Sequence, residues 1–282
     1  MKNIAKLVAV LLCICMLFTS CIPAGQSVDS SENTVNSQKV ENLEKLCKVW
    51  GYTKYNHPAF LFGEKDWDEE LLNLIPVVSE AKSDEVNDIL HEWFVGLGEI
   101  DYGTSRPGSK PIESEAVVQA DTNWILDEAY LGEALSADMQ KMGPVPKIDR
   151  SKAPVKFSTG QGVPNFKMEN TDAGCSYQTE EERLLGLFRV WNAIEYYFPY
   201  LDIMDESWYD LLNEFIPKIL EASDVQSFEL TICEMTAHLH DVHVRFINSQ
   251  PLKAVVGEYL APVNMLRTEE GQWVVSDLCG DC

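Results

Sequence analysis

Apolar side chains recur along this chain with a helical period in two long stretches, separated and followed by a looser texture. Val86, Ile89, Leu90, Trp93, Phe94 and Leu97 fall at i, i+3, i+4, i+7, i+8 and i+11. That spacing winds them onto one stripe of a helix that follows Ser83. Upstream, Leu43, Leu46, Trp50 and Thr53 keep the same period. They predict a helix that stops by Asn56–His57, because Pro58 pushes the residue before it out of the helical region. Asp66 is placed to cap the next helix, with Glu69 three residues later as in a capping box. Leu71, Leu74, Ile75 and Val78 supply the buried side of that helix. Pro76 falls inside it and predicts a kink or an end, since proline lacks the amide donor and crowds the preceding turn.

The plan then occurs a second time. Leu184, Leu187, Phe188, Trp191 and Ile194 predict a helix ending by Phe198, before Pro199. Ser207 stands where Asp66 stood and Asp210 where Glu69 stood, and Pro217 repeats Pro76. Phe228, Ile232, Met235 and Leu239 give a third helix. Laid over residues 43–81 at an offset of 141, residues 184–222 are identical at 12 of 39 positions without a gap. Those positions include both tryptophans (Trp50 on Trp191, Trp67 on Trp208), Tyr55 on Tyr196 and Pro58 on Pro199. A match carried by rare residues predicts an internal duplication.

Between the copies the texture changes. Residues 101–111 hold clustered Gly and Pro turn signals. Glu115 to Ile125 reads as a strand, Asp127 to Met142 as a short helix ended by Gly143-Pro144, and Val155–Phe157 as a strand. After the second copy, Lys253 to Asp277 reads as strands, with Glu269 to Gln272 turning between Val263–Leu266 and Trp273–Ser276. The expected fold is mainly α within an α+β class. Two duplicated three-helix units are joined by a mixed connector and followed by a short β-rich tail. The boundaries are residues 40–101 and 181–243 for the units, 102–180 for the connector and 244–282 for the tail.

The first residues do not belong to that pattern. Lys2 and Lys6 precede an apolar run, Leu7 to Phe18, that is too short for a permanent bilayer span and suits a signal sequence. Thr19 and Ser20 then lead to Cys21. Residues 1–20 resemble a bacterial lipoprotein signal, which implies lipid on Cys21 and a location in the cell envelope, anchored or secreted. Residues 21–39, polar and without apolar period, read as a flexible tether. The net charge of −23 argues against nucleic acid and against a mature domain lying flat on anionic lipid, so membrane contact is expected through the lipid alone. Cys47 and Cys233 sit in helical apolar patterns and read as small core residues. Cys279-Gly-Asp-Cys282 has CxxC spacing but no second pair to complete a zinc site.

The phrase RLLGLFRVWNAIEYYFPY, then W-x-x-L-L-x-x-F-I-P and L-H-D-V-H, resembles the N-terminal region of bacterial tail-specific (C-terminal processing, tricorn-like) serine peptidases. VWGYTKYNHPA with DWDEELLNLIP in the first copy resembles it too. In that family the helical region precedes a PDZ-like domain and a catalytic core that supplies the nucleophilic serine. The resemblance covers residues 40–282 and reaches the start of that PDZ-like region. It implies an accessory N-terminal region, inactive alone, of an enzyme that hydrolyses peptide bonds. The partner would be a protein or peptide substrate, and no cofactor or metal is called for. The alternative is a non-enzymatic, lipid-anchored module that binds a protein or peptide.

Candidate chemistry is sparse. Ser79-Glu-Ala-Lys82 has S-x-x-K spacing on an amphipathic helix, where both side chains read as solvated. His238, His240, Asp241 and His243 form the densest titratable cluster. It reads as a metal site if the stretch is extended, as a helix C-terminus complemented by imidazoles, or as a catalytic element. The resemblance places His243 at the family's D-x-H histidine, a general base. His57 has Phe198 as its counterpart, which argues against a ligand role, and His91 reads as lying on the polar side of its helix. The aromatic stripe of Trp50, Tyr52, Tyr55, Trp191, Tyr196, Tyr197 and Phe198 reads as core before it reads as a peptide groove.

Overall fold

The fold comes from a computed structural model that describes residues 30–103, 120–158, 162–166, 176–247, 249–257 and 263–278. The signal sequence, Cys21, most of the proposed tether, residues 115–119 of the expected strand, Cys175 and Cys279 to Cys282 lie outside those residues. The chain divides into two units, residues 1–38 and Lys39–Cys282. Within the first unit the described part is the beginning of helix α1, Ser30–Asn56.

The protein is mainly helical, with short antiparallel strands. Helix α1 is followed by the single turn α2, Pro58–Leu61, then α3, Trp67–Ser79, and α4, Val86–Gly96. In the middle come a 3-10 turn at Asn123–Leu126 and two short helices, α5 (Glu128–Leu131) and α6 (Glu133–Met139). Strands β1, Lys156–Phe157, and β2, Pro164–Asn165, pair antiparallel. The second helical region is α7, Glu180–Tyr197, α8, Trp208–Glu221, and α9, Val225–Ala237. A short helix α10, Gln250–Val256, precedes the antiparallel hairpin of β3, Val263–Arg267, and β4, Trp273–Leu278. Among the described residues no helix is long and apolar enough to cross a membrane.

The expected punctuation is in place. Helix α1 ends at Asn56 and α7 at Tyr197, each just ahead of its proline. Asp66 caps α3 by accepting from the amides of Asp68 and Glu69, and Ser207 caps α8 by accepting from Asp210. Pro76 and Pro217 lie inside their helices and end neither. One apolar core draws on both helical regions, with Trp50 and Trp191 fully buried at its centre. Each tryptophan ring donates to a backbone oxygen 17 residues on: Trp50 Nε1 to Trp67 O at 2.7 Å, and Trp191 Nε1 to Trp208 O at 3.1 Å.

Several expectations need correction. Helix α1 starts at Ser30, inside the stretch read as a flexible tether. No Gly or Pro interrupts residues 30–50, so once the apolar part is helical each polar residue upstream adds a hydrogen bond at little propensity cost. The strand expected to run to Ile125 ends instead in a 3-10 turn, because Asp121 accepts from the Asn123 amide and folds the chain back. The helix expected over 127–142 is split at Gly132, whose φ of +77° is available to glycine at little cost. Lys253 to Val256, read as strand, is the body of α10. The signal was Ser249 followed by Pro251: the Ser249 hydroxyl caps the Leu252 amide at 3.2 Å, and proline suits a first helical turn.

Candidate functional site

The stretch after α9 carries the only residue to which the sequence assigned a catalytic role. His240 reverses the chain in the left-handed region, with φ of +49°. Asp241 then builds a tight turn: its carboxylate accepts from the His243 amide at 2.8 Å, and its carbonyl accepts from the Val244 amide at 3.1 Å. The same carboxylate oxygen lies 2.7 Å from His243 Nδ1. These hydrogen bonds from the His243 amide and ring hold the Asp241 carboxyl below the usual carboxylate range. A carboxylate at Nδ1 fixes the ring's orientation and leaves Nε2 as the basic nitrogen. The ring is 88% exposed, so Nε2 faces solvent. Among the described residues no serine, threonine or cysteine is hydrogen-bonded to it.

The other histidines of the cluster are held elsewhere. His238 Nδ1 lies 2.5 Å from Glu206, with its ring edge against Phe215. His240 is exposed. Among the described residues no group of three His, Cys, Asp or Glu side chains is arranged to hold a metal ion. His57 is fully buried and accepts from the Ala59 amide as the cap of α2. His91 pairs with Asp138 at 2.8 Å across α4 and α6.

The S-x-x-K pair does not come together. Lys82 is exposed and bound to Glu85, as a solvated lysine should be. Ser79 is a correction: it is buried, in the last turn of α3, and its hydroxyl has no hydrogen-bond partner among the described residues. Of the aromatic stripe, Trp50, Tyr55 and Trp191 are core, whereas Tyr52, Tyr196, Tyr197 and Phe198 are half-buried.

Val242 and Ile247 are about four-fifths exposed. In the β3–β4 hairpin the pairs Met265–Val275 and Arg267–Trp273 share one face. Met265, Trp273 and Val275 on that face are all more than half exposed.

A second polar assembly was not anticipated from the sequence. It lies between α1 and the second helical region. The Arg189 guanidinium makes two hydrogen bonds to the Asp68 carboxylate, with both side chains largely buried. Lys48 is buried against Glu44, its ammonium 3.4 Å above the Tyr209 ring centroid. Asn192 donates to the carbonyls of Cys47 and Phe188. Glu195 is 9% exposed, and burial pushes its carboxyl up to about 7; Asp121 adds to the shift and Lys48 opposes it. Burial likewise raises the Cys47 thiol, consistent with an inert core cysteine. The available signal was charge within the apolar run of α7, where Arg189 sits between Phe188 and Val190. Compared with protein-family models, with curated proteins and with solved structures, the chain matches none.

Proposed function

We propose that this chain is the accessory helical region of an envelope lipoprotein of the tail-specific serine peptidase type, and that it engages polypeptide without cleaving it. The observation that carries this reading is the Asp241–His243 turn. An imidazole oriented by a carboxylate is the base half of a hydrolytic triad, and acyl transfer also needs an activated hydroxyl and an oxyanion hole. Here the basic nitrogen points into solvent, with the exposed apolar residues Val242 and Ile247 close by in the chain, where a second body could bring the hydroxyl. The helical regions are read as two copies of one three-helix unit. Their matched helix starts at Trp67 and Trp208, matched caps and matched tryptophan hydrogen bonds support that. The exposed hairpin face of Met265, Trp273 and Val275 favours the second reading, a non-enzymatic anchored binding module.

Incubation of the purified chain with a fluorophosphonate probe tests the first reading. The expected result is no covalent labelling of the folded protein. Labelling that is lost on His243→Ala would overturn it and make the chain a hydrolase in its own right.

A further inference from the structure

Three contacts between the two helical regions follow a single rule. Lys39 Nζ meets Glu180 Oε1 at 2.7 Å, and these residues are 141 apart. Gly51 packs on Asn192, and the ring of Tyr55 lies 5.5 Å from that of Tyr196, each pair at the same separation. Equivalent residues of the two copies therefore touch each other. One further pair of contacts comes as exchanged images. Arg189 binds Asp68, and their equivalents, Lys48 and Tyr209, also bind each other, ammonium over ring. Both sites join a cation at the middle of the first helix to the second residue of the other copy's second helix.

When residue i touches j, and the equivalent of i touches the equivalent of j, the contact is isologous, the signature of a two-fold axis. Equivalent residues meet at 39, 51 and 55, well separated along α1. Antiparallel helices bring equivalents together at one height only, so α1 and α7 run parallel, with the axis between them. We infer that this buried surface is a homodimer interface retained within one chain, and that the partner it fits is a second copy of the same three-helix unit. The inference rests on the reading of the two regions as copies.

Charge indicates how the surface selects its partner. In a true homodimer position 39 would meet itself on the axis, as two lysines or two glutamates. Here Lys39 meets Glu180, a pairing available only once the copies differ. Like charges opposed on the axis disfavour pairing of a copy with itself, and opposite charges favour pairing of the first with the second.

Spin-label distances on the full chain test the axis, using the exposed positions Glu69, Glu80, Asp210 and Glu221 substituted by Cys in pairs. A two-fold axis requires the 69–221 distance to equal the 80–210 distance within the width of the label distributions. Equal cross distances are the expected result, and clearly unequal ones overturn the axis. The internal distances 41–80 and 182–221, with Glu41 and Glu182 also labelled, run from the first to the second helix of each copy and test the duplication separately. If those agree while the cross distances differ, the copies stand and the two-fold interface falls. If the internal distances differ, the duplication itself is refuted.

Discussion

Gly51 and Asn192 meet between α1 and α7, and a Cβ built on Gly51 would lie 1.7 Å from Asn192 Oδ1. The Asn192 side chain cannot simply swing away, because its amide donates to the Cys47 and Phe188 carbonyls in a fully buried site. Gly51→Ala therefore either parts the helices or breaks those bonds. The expected loss is about 2–4 kcal/mol, from overpacking together with an unsatisfied buried Asn192 amide. Asn192→Ala in the same chain removes the clash, so the double variant should lose less than the sum of the single changes. Urea denaturation of the four proteins in the cycle measures this, and strict additivity would show that the two residues do not share a contact.

The tryptophan hydrogen bonds make a matched pair of tests. Trp50→Phe and Trp191→Phe each keep most of the buried ring and remove one hydrogen bond to a helical carbonyl, that of Trp67 or of Trp208. Each should cost about 1–3 kcal/mol, from the lost hydrogen bond plus a small void. The two losses should be similar, because the bond from Trp208 Nε1 to the backbone oxygen of residue 191, at 3.2 Å, survives Trp191→Phe. Thermal unfolding compares the two variants, and a loss confined to one of them would contradict the matched geometry.

Elements whose signal is local were legible in the sequence. The prolines after α1 and α7, the caps Asp66 and Ser207 and the stripe of α4 each act through neighbours along the chain, and the structure keeps them. The hairpin Val263–Leu278 was legible for the same reason. What the sequence hid depends on distant partners. Nothing near Arg189 predicts Asp68, 121 residues away, and nothing near Glu195 says that its carboxyl is buried. For His243 the sequence supplied an identity, and only the fold shows that its ring is held by Asp241 and turned to solvent.

Glu195 makes stability depend on pH in an unusual direction. Its carboxyl titrates at about 7 when folded and near the ordinary 4.5 when unfolded. Between those values the unfolded chain holds fewer protons than the native one, so stability falls as pH rises through the window and is constant above it. The shift corresponds to roughly 3 kcal/mol at most. Glu195→Gln cannot ionise, so its stability relative to the parent should improve from about pH 5 to about pH 8 by up to that amount. Denaturation at several pH values decides, and a constant difference between the two proteins would mean that Glu195 is already ionised when folded.

His57 acts in the opposite sense and at lower pH. Burial is the main cause that pulls its imidazole down to about 4, and the Gly98 carbonyl nearby offsets only part of that effect. The ring is neutral in the folded protein, while the unfolded chain takes up its proton from about 6.5 downwards. Stability due to this group is complete above 6.5 and is lost as pH falls towards 4, by roughly 3 kcal/mol if the whole shift is realised. Phe198 stands at the same place before a proline at the end of α7, so an uncharged ring is compatible with a helix ending there. His57→Phe should cost about 1 kcal/mol near neutral pH, because the Ala59 amide loses its cap. Near pH 4.5 the variant should overtake the parent, having no imidazole to protonate on unfolding. Chemical denaturation of both proteins across this range locates the crossing. If the two curves descend in parallel, the histidine must gain its proton without opening the turn, and the acid sensitivity belongs to other groups.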